Sequence, residues 1–174
     1  SVSADTVFIG GGTPSLIAVS DISLIINTLT KLFNISKDAE MTLEVNPGTV
    51  TGEKAGAYRQ LGFNRISIGF QAAQDRLLKF MGRIHTKDMF VDCVDLVKKH
   101  GFSNINADII FGIPTQTMED WVETIDTLIK GDITHVSCYS LEIEENTPWF
   151  QMRESGELPT ADDELERQMY GYAI

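Results

Sequence analysis

Short apolar runs alternate along this chain with stretches whose apolar positions recur every three or four residues. The first run, Val7-Phe8-Ile9, ends in Gly10-Gly11-Gly12. A helix is expected from Ser20 or Asp21, with Ile22, Ile25, Ile26, Leu29, Leu32 and Phe33 on one face, the spacing of an amphipathic helix. A second strand reads from Met41 to Val45 and closes on Asn46-Pro47-Gly48. A short helix follows, capped by Thr51 and stopped by Gly62. The third strand is expected over Arg65 to Phe70, then two helical stretches over 74–81 and 87–100. Thr86 is placed to cap the second of these, and Gly101 stands just past its end. A fourth strand runs from Asn104 to Phe111 and closes on Gly112-Ile113-Pro114. Thr117-Met118-Glu119-Asp120 has the form of a capping box opening a helix that carries Trp121, Ile125, Leu128 and Ile129 and stops at Gly131. The fifth strand is expected over His135 to Ile143, and a last helix begins near Asp162 or Asp163.

Strands alternating with helices in this way predict an α/β fold, a parallel sheet joined by crossover helices. The strands read as apolar on both faces, the pattern of a sheet covered on both sides. Periodicity leaves two architectures open, a doubly wound sheet and part of a βα barrel. The chain opens within a few residues of a strand and stops inside a helix that still keeps helical spacing at Leu165, Met169, Tyr172 and Ala173. Residues 1–174 are therefore expected to be one domain fragment of five βα units, trimmed on both sides.

Composition narrows the function classes. At 43% hydrophobic and 22% charged, the chain has the make-up of an ordered globular domain large enough for a real core. No run of about 18 apolar residues is present, so no transmembrane helix is expected. The residues from Ser1 to Thr6 lack the basic stretch of a secretory signal, and two thiols that form no disulfide framework fit a reducing cytoplasm, the setting expected. A net charge of −11 repels phosphate backbones and argues against nucleic acid as a partner. An anionic ligand would need local cations such as Arg65 or Arg83. The only cysteines, Cys93 and Cys138, fall in a helix-like and a strand-like run, and are expected to be buried, inert thiols. His85, His100 and His135 have no ligand spacing, so no metal site is expected from them.

In parallel βα folds, ligands sit at the carboxyl ends of the strands. Gly10-Gly11-Gly12-Thr13-Pro14 follows strand one, where glycines let backbone N–H groups approach an anion closely; a plain tight turn is the alternative. Glu44, near the end of strand two, either turns to a cavity or forms a buried salt bridge. Gln71 ends strand three. Arg83, in Gly82-Arg83-Ile84-His85-Thr86, is suited to a two-pronged grip on a carboxylate or is an exposed charge. Asp108 shares one side of strand four with Asn106, either lining a cavity or belonging to a satisfied internal polar cluster. Glu142, Glu144 and Glu145, near Trp149 and Phe150, read as a solvated loop.

Several of these segments, taken in order, resemble a known family. Phe8 to Leu16 resembles the glycine-rich strand of radical S-adenosylmethionine (SAM) proteins, and more narrowly of the oxygen-independent coproporphyrinogen III oxidase family, which includes a heme chaperone branch. Leu43 to Thr49, Asn64 to Gln71, Gly82 to Thr86, Asn106 to Pro114 and Tyr139 to Glu144 resemble its later motifs, so the likeness covers nearly the whole chain. The resemblance implies a partial (βα)6 barrel lacking its first βα unit here. It implies SAM contacts at Gly11, Gly12, Thr13, Glu44, Gln71, Arg83, Asp108 and Ser140, with the glycines at the amino-carboxylate end and Glu44 at the methionine amino group or ribose. The family's [4Fe–4S] cluster sits on a C-x3-C-x2-C loop that would precede Ser1, so no metal ligand is expected within this chain. By itself, the chain is expected neither to hold the cluster nor to cleave SAM.

The resemblance implies a full-length protein acting in porphyrin metabolism, with porphyrin or heme as ligand, plus an electron donor and a heme-accepting protein. Gly82 to Thr86 and Glu142 to Pro148 look more like the heme chaperone branch, which binds heme and transfers it. The other branch is the true oxidase, which converts propionates of coproporphyrinogen III to vinyl groups through a 5′-deoxyadenosyl radical.

Overall fold

The computed structural model describes residues 2–159 and 162–174. Five strands, β1 (Ser3–Ile9), β2 (Asn34–Val45), β3 (Arg65–Gln71), β4 (Asn104–Phe111) and β5 (His135–Ser140), form one parallel sheet in the order β1-β2-β3-β4-β5. Helices α1 (Val19–Leu32), α2 (Gly52–Gln60), α4 (Lys87–Lys99), α5 (Met118–Lys130) and α7 (Asp163–Ala173) cover one side of it. A short α3 (Asp75–Phe80) and α6 (Pro148–Glu154) lie over the carboxyl end of β3 and β4.

This arrangement settles the open architecture. A doubly wound sheet reverses its strand order at a switch point and carries helices on both faces. Here neighbours in sequence are neighbours in space, and the helices share one core with only one face of the sheet. That is the winding of a barrel wall. Strand side chains point alternately to the two faces. Leu43, Ile66, Ile68, Ile105, Ala107 and Ile109 have no solvent exposure and meet Ile22, Tyr58, Val97 and Trp121 from the helices. Phe70 stacks on Phe90 of α4 with ring centroids 3.8 Å apart. The expectation that both faces are apolar is wrong. The other face presents Thr42, Glu44, Arg65, Ser67, Asn106, Asp108, His135 and Ser137, all one residue out of step with the core positions.

Polar residues also explain the boundaries that differ. Strands β1 and β2 start earlier than their apolar cores, because Ser3 and Ala4 pair with Asn34 and Ile35 before the register shifts at Ala4/Thr6. Strand β5 stops at Ser140 rather than Ile143. Past it, the Leu141 N–H donates to Phe111 O at 2.9 Å and the chain turns toward α6, capped by Thr147 and opened by Pro148. Helix α6 is too short to show a periodicity and went unrecognised in the sequence. The Thr51 and Thr86 caps form as expected, and Thr117 with Asp120 closes a full capping box. Helix α1 begins at Val19 behind Ala18, slightly ahead of the expected Ser20 or Asp21. Cys93 is buried on α4, and burial pushes its thiol up to about 12. Cys138, expected to be buried, is only partly so, because β5 is an edge strand.

The tyrosine Tyr58 has no exposed surface, packs edge-on against Phe63, and its hydroxyl has no hydrogen-bond partner among the described residues. A buried unpaired hydroxyl costs the folded state its lost hydration. Tyr58→Phe keeps the ring and removes that group, so urea unfolding should show a gain of about 1 kcal/mol. An unchanged or lower midpoint would mean that the hydroxyl is hydrated or bonded in solution.

Candidate functional site

The carboxyl ends of β1 to β4 meet at a polar pocket of about 180 Å³ lined by Gly12, Thr13, Glu44, Asn46, Ser67, Gln71, Arg83 and Asp108, among others. Its floor depends on close packing below the glycine loop. The Gly11 N–H donates to Glu44 Oε2 at 3.0 Å. A Cβ on Gly10 would fall 2.7 Å from the Phe8 ring and 2.8 Å from Glu44, so a side chain there would push the carboxylate away. Gly11 and Gly12 have φ of +88° and +59°, values that favour glycine. A Cβ at either would meet nothing within 4 Å, so their backbone faces open space.

Side chains from the loop after β2 and from the start of α2 stitch this one in place. Asn46 Nδ2 donates to Thr13 Oγ1 at 2.9 Å, and Lys54 Nζ donates to Ser15 O at 2.5 Å and to Thr49 O at 3.4 Å. Thr49 Oγ1 donates to Asn46 O at 2.7 Å, so its 2.5 Å contact with Ser15 Oγ is one in which the serine donates. The loops after β1 and β2 therefore form one rigid unit.

Gln71 reaches the pocket through an irregularity. The register of β3 against β4 shifts between Gly69 and Gln71, and Gln71 takes φ of +70°. Such a bulge re-aims a side chain at a strand end. A Cβ on Gly69 would stand 2.9 Å from Asn46 Oδ1 and 3.0 Å from Gln71 Nε2, so the missing side chain is the space these two amides occupy.

Arg83 lies on the loop between α3 and α4, half-buried rather than freely exposed. Burial pulls the guanidinium below its usual value, and the nearby Asp108 charge opposes that shift. No ion pair to Arg83 exists among the described residues, so a half-buried cation faces the pocket without a salt-bridge partner. The loop is anchored by His85, 4% exposed, whose Nε2–H donates to Phe70 O at 3.1 Å. Burial, aided by Arg83, lowers the His85 pKa against the raising effect of that bond and of Asp75. A neutral imidazole there holds Arg83 over the end of β3.

Asp108 accepts from Ser67 Oγ at 3.0 Å and from Asn106 Nδ2 at 2.8 Å. Both readings of this residue thus hold together: it belongs to a satisfied polar cluster and it lines the pocket. Glu44 forms no salt bridge among the described residues; its bond goes to the glycine loop. Ser140 is placed elsewhere. It lies on the helix-covered side of β5 and donates to Glu166 Oε2 of α7 at 3.0 Å. Asn46, Ser67 and Gly69 were passed over in the sequence, although the period of two carries Glu44 on to Asn46 and register sets Ser67 beside Glu44. Beside the polar pocket, and sharing Arg83 with it, is a 470 Å³ cavity lined by Phe80, Ile110, Leu141 and Trp149, with exposed Glu142 and Glu144 at its rim. Among the described residues no group of three potential ligands converges on a metal position. No helix among them is long and apolar enough to cross a membrane.

Comparison with known proteins gives this geometry a family. The heme chaperone HemW of Synechocystis is 34% identical over 165 residues, covering 95% of this chain and 40% of its own length. HemW of Bacillus subtilis is 34% identical over 167 residues, covering 95% and 44%. The chain thus spans less than half the length of these curated relatives. Among solved structures, the coproporphyrinogen III oxidase HemN of Escherichia coli, described as a radical SAM enzyme, superposes with a TM-score of 0.85 at 23% identity, covering 99% of this chain and 39% of that one. At that identity the likeness concerns the fold, a partial barrel. The profile of the radical SAM superfamily matches residues 2–128, the span from β1 through most of α5 that builds the polar pocket, and the chain therefore belongs to the radical SAM superfamily.

Proposed function

We propose that the polar pocket binds SAM and that the full-length protein is of the heme chaperone type, binding and transferring heme. The observation that carries the first part is the convergence of Gly12, Thr13, Glu44, Gln71, Arg83 and Asp108 on one pocket. SAM has an amino-carboxylate end, a ribose diol and an adenine ring, and the two adjoining cavities offer complementary surfaces. The glycine loop and Thr13 suit the amino-carboxylate end, with Glu44 at the amino group or ribose. Arg83, Gln71 and Asp108 line the remainder of the polar lobe. The Ile110 and Leu141 side of the neighbouring cavity is apolar. Bound SAM, with a [4Fe–4S] cluster, supplies one-electron chemistry. The residues here do not fit that cluster: Cys93 is buried in the core on α4 and Cys138 packs toward the same helices from β5, so neither thiol lines the pocket. The support for the heme chaperone branch is the identity to HemW proteins along almost the whole chain.

Porphyrin or heme as the ligand follows from that branch, and the electron donor and heme acceptor are protein partners of the full-length molecule. A cytoplasmic location accords with this reading.

Calorimetry on the full-length protein should show SAM binding weakened about tenfold or more by Glu44→Gln or Arg83→Ala, the loss of a bond to a charged group in each case. Unchanged affinity in both would remove SAM from this pocket. Anaerobic reconstitution of the 174-residue chain with iron and sulfide should give no stoichiometric cluster signal; a full [4Fe–4S] spectrum would show that ligands are present after all. The reconstituted full-length protein, given heme and coproporphyrinogen III separately, should retain heme and release no vinyl-bearing porphyrin. Vinyl product together with 5′-deoxyadenosine would make it an oxidase instead.

A further inference from the structure

The Asp108 carboxylate is oriented from beneath the pocket by a chain of hydrogen bonds whose direction can be deduced. Oδ2 accepts from Ser67 Oγ at 3.0 Å, and Oδ1 accepts from Asn106 Nδ2 at 2.8 Å. The same Nδ2 donates to Ser67 Oγ at 2.7 Å. An amide that faces a carboxylate must present its NH2 group to it. The Asn106 carbonyl oxygen is therefore turned toward β5. There it accepts from Ser137 Oγ at 3.2 Å and lies in short contact with His135 Nδ1. That contact is acceptor against acceptor unless His135 carries a proton on Nδ1. Arg65 Nη2 is 3.4 Å from the same nitrogen, and a protonated Nδ1 cannot accept from it; Arg65 instead donates through Nη1 to Thr42 Oγ1 at 3.4 Å.

One carboxylate thus polarises the whole series. His135 and Ser137 donate to Asn106, Asn106 donates to Asp108 and Ser67, and Ser67 donates to Asp108. Asn106 and Ser67 are 2% and 3% exposed, so water cannot readily replace the bonds they make to Asp108, while His135 itself is exposed. His135 stands at the opposite, amino end of the strands from the pocket, at the start of β5.

We infer that Asn106 and His135 are positioning residues for the pocket: they hold the Asp108 carboxylate in the orientation that faces the ligand, His135 acting through Asn106. The inference rests on the reading of the pocket as a SAM site. The charged groups that share this inner face with Asp108 are Glu40 and Glu44 from β2, Arg65 from β3, His135 from β5 and Arg83 from the loop before α4.

The test uses the full-length protein, with SAM affinity measured by calorimetry and folding checked by circular dichroism. His135→Leu, which removes the donor, should weaken SAM binding about tenfold. His135→Asn, whose side-chain N–H can take the place of Nδ1–H, should restore it to within about twofold. Asn106→Asp sets a second carboxylate against Asp108 and can donate only when protonated. Its SAM affinity should therefore improve as pH falls from about 8 to about 5.5, a trend absent from the wild type. Independently of SAM, the nitrogen NMR shifts of His135 should report the Nδ1–H tautomer. Equal affinity for His135→Leu and wild type, or a flat pH profile for Asn106→Asp, would overturn the positioning role. An Nε2–H tautomer would overturn the hydrogen-bond chain itself. A wild type that binds no SAM would overturn the pocket reading, and the tautomer would then decide the chain alone.

Discussion

Everything at this site follows from covering a parallel sheet on one side only. Side chains of a strand alternate between faces, so a sheet whose helices all lie on one face must offer its other face to something else. Here the helix side is a continuous core from Ile22 to Met169, with Leu43, Ile66, Ile68, Ile105 and Ile109 wholly buried. Each fully buried residue of this kind contributes about 2 kcal/mol of transfer free energy, which leaves the inner face free to carry groups that add little to stability. Glu44, Ser67, Asn106 and Asp108 are such groups. Were helices packed on both faces, burying these side chains without partners would cost several kcal/mol.

Polar residues on an inner wall must still be satisfied, and the way they are satisfied makes the wall rigid. The carboxylate of Glu44 is held by the backbone of the glycine loop, Asp108 by Ser67 and Asn106, and the loop itself by Asn46 and Lys54. Two glycines act as spaces: a methyl group on Gly10 would collide with Glu44, and one on Gly69 with Asn46 and Gln71. His85 serves in the same way one layer out, its bond to Phe70 O fixing the loop that carries Arg83. A pocket built so is organised before ligand arrives, and little ordering entropy is lost on binding.

How much of this was legible in the sequence depended on whether a signal was local. The Thr51, Thr86 and Thr117 caps and the whole of β4 were readable, because cap chemistry and a bounded apolar run are local. Asp108 stood out because a carboxylate inside such a run needs a reason, and its pairing with Asn106 followed from the period of two. The polar inner face was missed, although its residues alternate in the same strands. Short strands with one or two polar residues each read as apolar until their register is known, and Arg65, Ser67, Asn106 and His135 become a surface only side by side. Ser140 shows the reverse case. Its place near a family motif suggested the pocket, whereas counting from Ser137 puts it on the helix side, where it meets Glu166. Helix α6 has a local start signal in Thr147-Pro148 but is too short to show a periodicity, and the bulge at Gln71 depends on a positive φ that no composition signal announces.

The same reasoning separates what the wall determines from what it leaves variable. Residues of the inner face are bound to one another, so changing one leaves another unpaired in a buried place, and the scaffold resists substitution. The segment from Leu141 to Asn146 is different. Its path is set at both ends by backbone and cap, with Leu141 N–H bonded to Phe111 O and Thr147 opening α6, while Glu142, Glu144 and Glu145 stand exposed. Side chains there can change at little cost to the fold. They also rim the apolar cavity that adjoins the polar pocket through Arg83, beside the tilted ring pair of Phe80 and Trp149. One structure thus joins a fixed polar lobe to an adjustable apolar one. Function is carried by a site and not by the fold alone, and Gly82 to Thr86 and Glu142 to Pro148, the segments whose resemblance pointed to the heme chaperone branch, flank that adjustable lobe.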